Sequence, residues 1–402
     1  MRAYALATIA CSAALFSCGK KPLSPSPSAD VQQLLELNIR DVNFDAAPLE
    51  EVIWSIADAA NFDFVIITPK SAFEAVSLTS RSIIARELLD QATESAGAVW
   101  QIERNLLVIG RESDLERIRQ QRANPIAPLP PSTAMEEIAA IRERFDKLKG
   151  EVEEARLRSL LPIAESDHET ARYNMKVAEL EVMARKWEGA LTAPRLPEPE
   201  AFSQQLMKSV DHIESRDSKL AEVAEKLRDK ESALNLVLVD SLNDSPSTCI
   251  VNLRLRERPL ELTLQYLAEA SRAGLRRDDR AVVIGDEQRL RLVRHAKRKS
   301  LPLRLHLKLI ESFSTRNASL TEFLDDVYWE DTPRSSELHL AVRGELSPLK
   351  VDLQLREIPL ADIIQYAAEQ TNCGMMYELQ TVWFLPPGAP ASHHEADMLG
   401  RR

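Results

Sequence analysis

The side chains that could do chemistry are few and scattered. His393, His394, Glu395 and Asp397 are metal-ligating types, but they follow Pro386-Pro387, where a disordered tail over 388–402 is expected. Asp325-Asp326 and Glu330-Asp331 are paired carboxylates, as acid–base work requires. In a chain with 62 acidic and 51 basic residues such pairs arise from composition alone. His168 and His212 are read as lying on polar helix faces. There is no GxSxG, HExxH, P-loop or GxGxxG motif. The 11 glycines leave little material for phosphate-cradling loops. No CxxC and no Cys/His spacing suited to zinc occurs. We therefore expect no catalytic residue, no metal ligand and no cofactor, and a chain that is not an enzyme. A net charge of −11 argues against nucleic acid, whose phosphates need clustered Lys and Arg. The short basic runs Arg276-Arg277 and Arg294 to Lys299 are read as solvated face or linker.

One residue does promise chemistry. Residues 1–17 read as a signal peptide: Arg2 is a positive start, and Ala3 to Phe16 is an uncharged apolar run too short to span a bilayer comfortably. The run ends Leu15-Phe16-Ser17-Cys18-Gly19. This resembles the bacterial lipobox, although Phe16 is bulkier than the usual occupant. The resemblance implies that Cys18 is lipidated and anchors the chain to a membrane in the periplasm. Gly19 in place of Asp points to the outer membrane. Residues 18–35 then form a Pro/Ser-rich tether. Cys11 leaves with the signal. Cys249 and Cys373 occupy non-equivalent places and are expected to be buried thiols, although an oxidising compartment permits a disulfide.

The elements that position everything else repeat. Val251 to Leu255, followed by Arg256-Glu257-Arg258-Pro259-Leu260, returns as Val351 to Leu355 followed by Arg356-Glu357-Ile358-Pro359-Leu360. The match continues through Gln265-Tyr266 and Gln365-Tyr366 to Gly274 and Gly374, and a looser copy runs from Leu37 to Gly110. A chain of this kind is built from copies of a small module. In the first copy, Leu37 to Phe44 reads as a strand and Pro48 opens a helix with Leu49, Val52, Ile53, Ile56 and Ala57 on one face. Phe62 to Thr68 and Val76-Ser77-Leu78 read as strands, and Ile83 to Ser95 as a helix. Val99 to Ile102 and Leu106 to Ile109 make a hairpin around Arg104-Asn105. The order is β-α-β-β-α-β-β. The recurring Arg256-Glu257 and Arg356-Glu357 are read as strand-to-helix turns with an exposed ion pair, the alternative being a shared contact surface.

Pro48-Leu49-Glu50-Glu51-Val52-Ile53-Trp54-Ser55-Ile56-Ala57, Phe64-Val65-Ile66-Ile67, Val76-Ser77-Leu78, Gly97-Ala98-Val99-Trp100 and Leu107-Val108-Ile109 carry a resemblance. They are similar to the short N-terminal (STN) domain shared by secretins and TonB-dependent receptors. The match is good over the first copy and partial over the back halves of the other two. It implies non-catalytic periplasmic modules that contact a secretin, a TonB-dependent receptor or an inner-membrane regulator. Matched positions are mostly core and turn, so they speak for fold more than activity.

Between the first two copies lies a different pattern. Ile138, Ile141, Phe145, Leu148, Val152 and Ala155 form a heptad seam, as do Tyr173, Val177, Leu180, Ala184 and Trp187. Thr133 with Glu136 and Ser166 with Glu169 could be capping boxes. The simplest reading is an antiparallel helical hairpin whose seams cover each other; the alternative is a coiled coil with another chain. The expected fold is thus α+β: three β-α-β-β-α-β-β modules at 36–112, 204–287 and 303–387, with the hairpin at 132–190. The expected function is a lipid-anchored interaction protein that docks cell-envelope proteins. The alternative is a self-assembling structural envelope protein, and a homo-oligomer is compatible with both.

Overall fold

A computed structural model describes residues 30–69, 71–129, 133–159, 166–188, 199–231, 233–240, 246–292, 301, 305–306, 308–331, 339–342, 350–378 and 381–386. The fold is mixed α/β with several small sheets. Among the described residues no helix is long and apolar enough to cross a membrane. Residues 1–29, with Cys18, and the histidine-bearing tail lie outside the described residues, as do Arg294 to Lys299.

The first run of elements is β1 (Asn38–Ala47), a helix (Leu49–Ala60), β2 (Phe64–Ile66), β3 (Val76–Ile84), a helix (Ala85–Ser95), β4 (Val99–Glu103) and β5 (Leu106–Gly110). Pro48 precedes the first helix, where its missing N–H costs nothing, and Asn61 closes that helix in the left-handed conformation. Arg104 and Asn105 both have positive φ, as a tight two-residue hairpin demands. The second helix starts two residues later than expected, because β3 runs through Ile83 and Ile84 as it pairs with β1.

The same order recurs twice more. Beta6 (Ser209–Lys219), a helix (Leu220–Lys230), β7 (Leu236–Val239), β8 (Ile250–Pro259), a helix (Leu260–Ala270), β9 (Gly274–Arg277) and β10 (Val282–Gly285) make the second run. The third has β11 (Leu309–Ala318), a helix (Leu320–Asp331), β12 (His339–Val342), β13 (Val351–Pro359), a helix (Leu360–Thr371), β14 (Gly374–Glu378) and β15 (Thr381–Leu385). We call each run a unit. In each, the two long strands form an antiparallel ribbon, and the three short strands pair separately, one parallel and one antiparallel to the last strand. Every ribbon carries a bulge at the same place, with Ala46, Asp217 or Asn317 at positive φ. His212 lies in β6, not on a helix, and is exposed beside Glu214. His168 is exposed.

The apolar runs of the short strands have a physical reason. Phe64, Ile66, Leu107 and Ile109 face the first unit's own core, whereas Val65, Ile67, Leu106 and Val108 enter the core of the second. One step on, Leu236, Val282 and Ile284 face the second unit's core, while Val237, Val239 and Val283 enter the third. A sheet buried on both faces reads as continuous apolar sequence. Each unit is too small to build a generous core alone, and sharing sheets enlarges it.

Helices Thr133–Ser159 and Ser166–Lys186 pack on each other, with a Lys176–Glu151 ion pair between them. Ile138, Leu148 and Ala155 are buried in this contact, so the two seams do meet within one chain. The second seam, from Tyr173 to Trp187, is only half-buried. The side chains of Thr133, Glu136 and Ser166 lie outside the described ones. A capping box not anticipated from sequence joins Ser319 and Glu322, each backbone N–H reaching the other's side chain at 2.6 and 3.3 Å.

Candidate functional site at the unit junctions

Several buried or half-buried charged side chains meet at the two places where units join. At the first junction β8 adds antiparallel to β2, with Phe64, Val65 and Ile66 opposite Arg254, Leu253 and Asn252. The result is one five-stranded sheet in the order β4-β5-β2-β8-β6. Alternate residues of β8 then reach back to the first unit. Asn252 accepts the Trp54 Nε1 proton at 3.3 Å. Arg254 pairs with Asp58 and stacks 4.8 Å above the Trp54 ring. Arg256 donates to Asp63 at 2.7 Å and to Asn61 at 2.8 Å. Arg258 donates to the carbonyls of Arg104 and Asn105.

This overturns the expectation for Arg256-Glu257. Arg256 is held by the preceding unit, and Glu257 has a φ of 52°, a left-handed residue within the strand. Sequence spacing could not show this, because the partners Asn61 and Asp63 are remote in the chain.

A second set of contacts uses the repeated Gln-Tyr-x-Ala-Glu segment. Glu269 receives Arg122 Nε at 2.6 Å and Nη2 at 2.7 Å, a bidentate pair, and Gln265 donates to the same carboxylate. Arg122 belongs to the helix Glu112–Ala123, which the sequence pattern does not announce, and its guanidinium lies 5.9 Å over the Tyr266 ring. Burial alone would lower the Arg122 pKa, but Glu269 and Glu103 together hold it above its ordinary value. Arg272 pairs with Asp114 on that same helix.

At the second junction the chemistry shifts inward. Asn235 occupies the position of Asp63, just before the short strand, and clasps Arg356 of β13: its Oδ1 accepts the Arg356 N–H at 2.8 Å and its Nδ2 donates to the carbonyl at 3.0 Å. Gln370 bridges the carbonyls of Leu238 and Asp352, both at 2.8 Å. Glu369, equivalent to Glu269, receives Arg276 at 2.9 Å, and Arg276 also grips Asp278. Tyr366 donates to Asp278, and Arg289 donates to the Glu369 carbonyl. Arg276 has no exposed surface, which corrects the reading of Arg276-Arg277 as a solvated patch. Burial works against its charge, yet Glu369 and Asp278 keep its pKa raised. Burial pushes the Glu369 carboxyl up, and Arg276 pulls it back only in part.

The chain also straps itself. Ile126 bridges to Arg276, and the Leu129 N–H donates to Asp278. The segment after the helix Glu112–Ala123 thus packs into the second junction at Ile126 and Leu129. A Cβ at Gly274 would lie 2.7 Å from Ile126 Cδ1 and 3.1 Å from the Glu287 Cα, so any larger residue there would push the Ile126 side chain aside.

A cavity of about 350 Å³ at the second junction is lined by Arg228, Lys350, Asp240, Asp352 and Gln370 among others, its charges opposed, with Arg228 3.7 Å from Asp352. Among the described residues no group of His, Cys, Asp or Glu could hold a metal ion. Asp326 accepts the Thr315 hydroxyl at 2.9 Å; the side chains of Glu330 and Asp331 lie outside the described ones. Cys249 and Cys373 are thiols, half-buried where burial was expected, since each sits at the edge of an element and not within its core face. In comparisons with known protein families, curated proteins and solved structures, the chain matches none.

Proposed function

We propose that this chain is a non-catalytic interaction protein of the bacterial cell envelope. It is anchored in the periplasm through a lipid on Cys18, with the outer membrane as the membrane concerned. Its three β-α-β-β-α-β-β modules, interrupted by the helical hairpin, are STN-like. They dock envelope proteins of the secretin, TonB-dependent receptor or inner-membrane regulator class. The observation that carries the reading is the repeated junction. The same strand and the same helix of successive units each bind the unit before, and the charged groups at hand are consumed in that binding. A chain of such adaptors holds other proteins.

The test is a crosslinked pull-down of the whole mature protein from its own membranes beside a Cys18→Ala control. Recovery of an envelope protein of those classes with the lipidated form is the expected result. Recovery of none overturns docking, and unchanged membrane retention of Cys18→Ala overturns the anchor.

A further inference from the structure

The array has two unlike ends. Inside it, each three-stranded sheet turns its outer face to the next unit. Pairing registers identify the positions: Phe64 with Leu107, Leu236 with Val282 and Leu340 with Val382 are equivalent rows. The outward row one residue on is therefore Val65 and Val108 in the first unit, Val237 and Val283 in the second, and Ala341 and Trp383 in the third. The first four are fully buried by the following unit. Ala341 and Trp383 are only half-buried, and so is Thr381 where Leu106 and Ala281 are fully buried. β12 is the edge of its sheet, as β7 is of its own, whereas β2 is paired with β8; what sets the third unit apart is the half-buried outward row.

The opposite end is closed by composition. The helix that receives the preceding unit is buried on nearly every side in the third unit, from Leu360 to Thr371, and on most sides in the second. Its counterpart in the first unit, Ala85–Ser95, exposes Glu87, Asp90, Gln91 and Glu94. There Gln91 stands where Tyr266 and Tyr366 stand, and exposed Glu94 where the buried Glu269 and Glu369 stand. A polar outer face is how a terminal repeat stays in water. The equivalent face of a second copy is this polar one, and it does not fit the open one.

We infer that the outer face of the third unit, with the β12 edge, Ala341 and Trp383, is the docking site for a further unit of the same kind carried by a different envelope protein. That partner adds the outer strand of its two-stranded ribbon antiparallel to β12 and lays the helix that follows over Trp383, as β8 and Leu260–Ala270 do over the first unit. The main chain supplies the ladder and the apolar row supplies the burial. The inference rests on the docking reading above and narrows it to one face.

A photo-crosslinking aromatic amino acid placed at Trp383 in the full-length lipidated chain tests it in cells where the pull-down recovers a partner. A second chain carries the same probe at Glu94. The expected result is a crosslink from position 383 to another envelope protein, mapped by mass spectrometry to a ribbon strand or the helix after it, and none from position 94. Ala341→Lys in the probe-bearing chain is expected to abolish that crosslink while the protein keeps its far-ultraviolet circular dichroism. A crosslink from 383 only to residues 387–402 of its own chain, to a second copy, or to nothing overturns the inference. In that case the pull-down partner docks elsewhere, and the broader reading stands.

Discussion

The two junctions join equivalent strands by different means. At the first, β8 forms a registered ladder with β2, and its arginines reach one exposed carboxylate, Asp58, and one nearly buried, Asp63, while the Arg256 guanidinium itself stays 34% exposed. At the second, one asparagine clasps β13, and the binding charge has moved inside, with Arg276, Asp278 and Glu369 all essentially buried. One interface thus joins a main-chain ladder to ion pairs whose arginines keep part of their surface in water, while in the other the arginine is buried with its carboxylates. Repetition preserved the geometry and left the electrostatics free to vary. A ladder needs only backbone, whereas a buried arginine needs every carboxylate in place.

The largest effect is expected at the buried cluster. Arg276→Met leaves Asp278 and Glu369 buried without their cation and should cost about 3–5 kcal/mol, read as a lowered urea midpoint. A change under about 1 kcal/mol would put the two junctions on the same footing. Asp63→Ala at the first junction removes the acceptor for Arg256 and should cost about 1–3 kcal/mol. Hydrogen exchange should quicken at the Arg256 amide, which donates to Asp63 at 3.2 Å, and leave the Arg356 amide unmoved.

Acid sharpens the contrast. The folded pKa of Glu369 is raised by burial, so its contribution is fully present below the unfolded carboxylate range and is lost as pH rises through the raised value. Relative to Glu369→Gln, the wild type should therefore gain stability as pH falls from neutral toward about 4.3, the ordinary glutamate value. Parallel midpoints for the two proteins across that range would remove the buried-charge account. High salt should loosen the first junction more than the second, since pairs with a partly exposed arginine are screened more than a pair buried on both sides. The smallest effect belongs to Glu36→Gln. Its bond to Arg86, 59% and 37% exposed, serves neither junction and should contribute about 0–1 kcal/mol.

The repeat was plain in the sequence, and so were most of its elements. Val251 to Leu260 and Val351 to Leu360 form strand and helix entry as read, and the Arg104-Asn105 hairpin and the seams of the helical hairpin are where periodicity puts them. Less legible was the helix Glu112–Ala123, whose only buried apolar side chains, Leu115 and Ile118, make too short a stripe to announce it. Its Arg122 is nonetheless the hinge of one interface. The junctions themselves were misread, Arg276 as surface and Arg256 as a local turn.

What the sequence determined by itself is periodic and local: alternation, the prolines that open helices, the copy number of the unit and the missing catalytic motifs. These follow from backbone sterics and side-chain spacing within a few residues. What only the tertiary structure decided is which strand meets which, and hence where charge is buried. Asp63 and Arg256, or Arg276 and Glu369, become neighbours only because a sheet with two apolar faces must be covered by the next unit. The strength and the sign of an electrostatic contact are set by that covering and not by the residue types alone.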